Sequence, residues 1–118
     1  MSSMSIRGLA RSFGTAIVVC AGMTQVAAAE DWYVIVGSFR ETSGNAIESA
    51  DRLREAVDEN CGHDIQWDYS TKFYNFEPGF LVVFSGPYAS RNRAGSVLDD
   101  VRQCASDAYV KSSRYAGE

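Results

Sequence analysis

Asp31-Trp32-Tyr33-Val34-Ile35-Val36-Gly37 is a near-continuous apolar run, rich in β-branched and aromatic side chains and stopped by a glycine. Such a run reads as a central strand buried on both faces. Downstream, Ser43, Gly44 and Asn45 offer helix-capping groups. Ala46, Ala50, Leu53 and Val57 then recur at helical spacing, with Ile47 and Ala56 widening the stripe. Glu48, Asp51, Arg52, Glu55 and Asp58 take the other side, so an amphipathic helix is expected to end near Asn60, Cys61 and Gly62.

From Asp64 to Tyr74 the period changes to two. That predicts a strand with Ile65, Trp67, Tyr69 and Phe73 on one face and Gln66, Asp68, Ser70 and Lys72 on the other. A turn over residues 75–79 leads to a second apolar strand, Phe80–Phe84, halted by Ser85-Gly86-Pro87. A second helix is expected from Ser90 to Cys104, burying Ala94, Val97, Leu98 and Val101, and a last short strand from Ala108 to Lys111. The tail Ser112–Glu118 reads as frayed.

The order β-α-β-β-α-β predicts an α+β fold of the ferredoxin-like, split βαβ type, with a four-stranded antiparallel sheet and both helices on one face. The first and third strands are expected side by side and parallel in the centre. The helices would then also run parallel, bringing Cys61 and Cys104 to one edge.

Upstream of this domain, residues 1–29 read as a signal peptide. They start basic with Arg7 and Arg11, continue through an apolar stretch from Phe13 to Met23 and end in Ala27-Ala28-Ala29. The apolar stretch is about 11 residues, against the roughly 20 a membrane span requires. Lipidation at Cys20 is the lesser reading, because Val19 stands where a small residue is wanted. Cleavage before Glu30 would deliver one small domain, residues 30–118, to the periplasm or the medium, without a stable membrane anchor. Two of the 11 basic residues and none of the 15 acidic ones leave with the signal, so nine bases face 15 acids and the formal net charge is −6. That balance argues against nucleic acid or an anionic membrane as partner. Removal of Cys20 leaves Cys61 and Cys104 as an even pair in an oxidising compartment, read as a disulfide.

The chain resembles the SPOR (sporulation-related repeat) family of peptidoglycan-binding modules. The likeness rests on residues 32–39, on Asn45-Ala46 at the helix start, on Ser85-Gly86-Pro87-Tyr88 and on the helix carrying Ala94, and it spans residues 32–111. It implies binding of glycan strands stripped of stem peptides on the helix-free sheet face, often at the division septum. Family members often carry glutamine where Ile35 stands, and a basic or polar residue where Val82 or Phe84 stands. Alternation puts Tyr33, Ile35, Val82 and Phe84 on that face. Tyr33, Phe84 and Tyr74 could stack on sugars, with Gln66, Ser70 and Lys72 bonding hydroxyls and Tyr109 on the far edge. The same apolar face equally suits a partner protein or a second copy as a homodimer.

Arg40, Arg91 and Arg93 are expected together at the edge where both helices begin, a possible anion site or simply surface charge. With one histidine and no free cysteine after pairing, neither a metal site nor a cofactor nor nucleophilic catalysis is expected, and the domain reads as a binding module rather than an enzyme.

Overall fold

A computed structural model describes residues 30–116; the signal peptide read at residues 1–29 lies outside them. The elements are β1 (Asp31–Arg40), α1 (Ala46–Cys61), β2 (Gln66–Tyr69), a 3-10 turn (Ser70–Lys72), β3 (Phe80–Tyr88), α2 (Arg91–Val101) and β4 (Tyr109–Ser113). The sheet order is β2-β3-β1-β4, and every neighbouring pair is antiparallel. This is the expected α+β, β-α-β-β-α-β arrangement.

The central pair corrects one expectation, because β1 and β3 are antiparallel. The crossover through α1 sets β2 along β1 with one place left between them. The turn from β2 into β3 then reverses the chain, so the strand filling that place must oppose β1. As a result the loops after β1 and β3 leave from opposite ends of the sheet. Arg40 pairs with Phe80 at one end and Trp32 with Tyr88 at the other.

Both helices cover one face. Val34, Val36, Leu81 and Val83 form a single core there with Ala46, Ala50, Val57, Ala94 and Val101. Leu53 of α1 sits so close to β1 that a Cβ on Gly37 would lie 2.8 Å from its Cδ2. Asn45 makes no side-chain cap on α1, its Oδ1 instead accepting from Ser43 Oγ. Ser90 does cap α2, accepting from the Arg93 amide at 3.1 Å.

The last residue of α1, Cys61, is joined by a disulfide to Cys104 in the turn after α2. The His63 ring contacts the Asp100 carboxylate at 3.0 Å beside it. The cysteines therefore meet, although the parallel central strands expected to bring them together are absent.

Two irregularities shape the other face. The β1–β3 register slips between Ile35 and Gly37, so Val36 and Gly37 both turn toward the helices and Ser38 follows Ile35 onto the helix-free side. A second slip, between Trp32 and Val34, accommodates Gly86 at φ 127° and a cis Gly86–Pro87 bond. A Cβ on Gly86 would lie 3.0 Å from the Trp32 carbonyl oxygen, so only glycine fits that conformation and that space.

Candidate functional site

The helix-free face is where the structure departs most from expectation. Tyr33, Ile35, Val82 and Phe84 do point there, separated by the sheet from the helix-side core. None is open to a ligand as a broad platform, however, since Tyr33, Phe84 and Val82 are 0%, 1% and 3% exposed. Strand β2 stops at Tyr69, and the 3-10 turn carries the chain across the sheet as a strap. Phe73 crosses with it, to the face opposite the one that alternation assigned. Its ring meets Tyr33 and Phe84 edge-on at 5.2 and 5.1 Å and stacks on Phe76 at 4.4 Å.

The C-terminal tail holds the strap down instead of fraying. Phe73 forms a β-bridge with Tyr115, the Tyr74 amide donates to the Arg114 carbonyl at 3.2 Å, and the Ala116 amide donates to the Lys72 carbonyl at 2.7 Å. Asn75 spans to β4, donating through Nδ2 to the Ser112 carbonyl and accepting through Oδ1 from Ser113 Oγ. Tyr74, 54% exposed, is outside the sheet face; its hydroxyl donates to Glu30 and the Arg114 guanidinium lies 4.1 Å from its ring centre. That hydrogen bond holds the Glu30 carboxyl below its usual range and pushes the Tyr74 phenol up.

Burial pushes the Tyr33 phenol up, with the Asp31 charge adding to it. Its hydroxyl faces the Tyr115 backbone outside hydrogen-bond geometry. A folded-state pKa above the unfolded one keeps the neutral phenol stabilising below about pH 10. That contribution is lost as pH rises through the folded value. In an alkaline titration followed by phenolate absorbance, Tyr33 should ionise above the ordinary tyrosine range and together with loss of tertiary signal. Its ionisation among the exposed tyrosines, with the fold intact, would show the strap to be open.

Beyond the strap, a groove of about 280 Å³ remains on this face. The buried Ile35 and Val82 floor it, and Phe76 and Phe80 line it together with Tyr109 and Lys111 of β4. Register explains the β4 pair, because Tyr109 lies opposite Ile35 and Lys111 opposite Tyr33. Ser38, Ser70, Asn75 and Glu77 supply polar atoms, with Ser70 buried and its Oγ accepting from the Phe80 amide at 3.1 Å. Such a mixture of flat apolar surface and convergent polar groups suits a sugar chain.

Of the residues singled out from sequence, Ile35, Val82, Ser70 and Tyr109 come together here. Tyr33 and Phe84 lie beneath the strap. Gln66 instead donates to the Gly86 carbonyl at 3.3 Å, and the Lys72 main chain serves the strap ladder. Ser38, Asn75, Phe76, Glu77, Phe80 and Lys111 were missed. For Ser38 the available signal was Gly37, since a glycine inside a strand often marks a bulge that resets alternation.

The expected arginine edge does not form. Arg40 stacks over Phe80 at 5.3 Å at the groove end of the sheet, whereas Arg91 lies over Trp32 at 5.6 Å at the opposite end, near Arg93 in the first turn of α2. Antiparallel central strands make that separation unavoidable.

A SPOR domain match spans residues 28–112, most of the chain. The chain belongs to the SPOR domain family. Membership suggests peptidoglycan as the partner and a place in the cell envelope. No curated protein and no solved structure matches this SPOR domain. Among its described residues no helix is long and apolar enough to cross a membrane. The apolar residues at 35, 82 and 84 have a structural cause in this SPOR domain. Phe84 underlies the strap, and Ile35 and Val82 continue the same buried cluster as the groove floor.

Proposed function

We propose that this SPOR domain is exported and binds the glycan strands of peptidoglycan in the groove between its strap and β4. The observation that carries this reading is the groove's composition on the helix-free face: an Ile35–Val82 floor, aromatic walls from Phe76 and Tyr109, and Ser38, Asn75, Glu77 and Lys111 for hydroxyl and acetamido groups. Tyr109 is 49% exposed, so its ring is free to lie along the apolar side of a sugar. The domain acts by binding, without chemistry of its own.

The competing reading, a protein-binding or self-associating module, drew its support from an open apolar sheet face. Here the chain's own Phe73, Phe76 and Tyr115 occupy much of that face, which weakens the reason for a partner to cover it.

The test is co-sedimentation of the mature protein, whose first residue should read as Glu30 by mass spectrometry, with purified sacculi before and after amidase treatment. Stripped sacculi should retain more protein, and Tyr109→Ala should weaken that retention about tenfold with unchanged unfolding. Equal recovery with and without sacculi would sink the proposal. Concentration-dependent dimerisation that Tyr109→Ala abolishes would favour self-association instead.

A further inference from the structure

Lys111 is the one basic residue lining the groove. Its ammonium stands 5.4 Å from the centre of the Phe76 ring, which holds the side chain against the groove wall and not out in solvent. The ion pairs among the described residues are Arg54 with Asp51 and Glu55, and His63 with Asp100, so neither Lys111 nor the groove acid Glu77 is neutralised by a neighbour. The groove thus offers one cation, beside one acid with which it makes no ion pair, in a domain whose formal balance is strongly acidic. An anionic ligand would be repelled by Glu77 and by the net charge, and Lys111 is the groove group that offsets this. Arg40, which does not line the groove, is exposed and lies over the groove residue Phe80.

Resting on the glycan reading, we infer that Lys111 reads a free carboxylate on the bound strand, and thereby whether the stem peptide has been removed. In a muramic acid residue the lactyl carboxyl is an amide while a peptide is attached. Hydrolysis of that amide leaves a carboxylate at the same place. A carboxylate accepts a charge-assisted hydrogen bond from the ammonium, whereas the amide brings no charge and adds the bulk of a peptide. Selection for stripped strands then has an attractive part supplied by one lysine, beyond steric exclusion of the peptide.

The test separates charge from bulk. Binding is measured by calorimetry for three tetrasaccharides: one with free lactyl carboxylates, the same chain with the carboxyls converted to primary carboxamides, and chitotetraose, which has no lactyl group. The native domain should favour the carboxylate form over the carboxamide about tenfold, a preference that shrinks with added salt. Lys111→Gln should bring the ratio of carboxylate to carboxamide affinity down to about one, and Lys111→Arg should keep the preference. Thermal unfolding of each variant should match the parent. Equal native affinity for all three ligands, or a preference that survives in Lys111→Gln, overturns the inference and leaves glycan binding standing. Failure to bind any of the three, or stripped sacculi, overturns the glycan reading and the inference with it.

Discussion

Phe73→Ala should cost the domain about 3–5 kcal/mol in urea unfolding, the range for removing a buried aromatic ring from a packed core. Phe73 is 2% exposed and its ring touches Tyr33, Phe84, Phe76 and Tyr115. No other side chain of the strap is positioned to fill the space, because Phe76 already stacks on the ring being removed and Tyr74 faces outward. The loss also releases the clasp, since the bridge from residue 73 to Tyr115 orders both the strap and the tail. Phe73→Leu, which retains much of the volume, should cost clearly less. A loss below about 1 kcal/mol for Phe73→Ala would mean that the strap does not pack on the sheet in solution.

Cys61→Ser combined with Cys104→Ser should cost about 4 kcal/mol, from the chain entropy that a 43-residue separation returns to the unfolded state. Small domains are stable by about 5–15 kcal/mol, so this is a large fraction of the total. Denaturant unfolding of the native protein in reducing buffer should approach the curve of the double variant. The double variant itself should be indifferent to reductant. If reductant leaves the native curve where it was, and mass spectrometry finds free thiols, the cysteines are unpaired. The cross-link lies on the helix side of the sheet, beside His63 and Asp100, and the groove on the other, so glycan retention measured below the unfolding transition should be unchanged.

These two expectations divide the molecule by how it could be read. Cys61 and Cys104 were legible as a pair because two cysteines in a segment read as exported are expected to oxidise, whatever the fold. The conclusion was right although the strand directions offered for it were not. Ala46, Ala50 and Val57 were legible as the inner side of α1 for a similar reason, since a helix repeats its face every few residues regardless of what lies opposite. Ile47 and Ala56, at the margin of that stripe, turned out exposed, which is how the edge of an amphipathic face commonly resolves.

Phe73 was not legible. Period two carried past Tyr69 puts Phe73 on the face of Ile65 and Trp67, and the one local sign against it is Thr71, a polar residue at an apolar-face position within the 3-10 turn that breaks the parity. The turn is held by distant partners: the Phe80 amide on Ser70 Oγ, and the Ala116 amide on the Lys72 carbonyl. Tyr115 was assigned to a frayed tail for the same reason, its packing being against residues some forty positions earlier.

The opening strand shows where the division falls. Its sequence determined that Asp31–Gly37 is a central strand, that Tyr33 and Ile35 share one face with Val34 and Val36 on the other, and that two helices and a cross-link complete a β-α-β-β-α-β domain. These depend on periodicity and composition, which each segment carries within itself. Tertiary structure alone decided that the central strands oppose one another, that a bulge sends Ser38 after Ile35, and that the strap buries Tyr33 while leaving a groove over Ile35 and Val82. Those outcomes are set by contacts between segments far apart in the chain, where the burial of a few aromatic rings outweighs the local preference for a continuing strand.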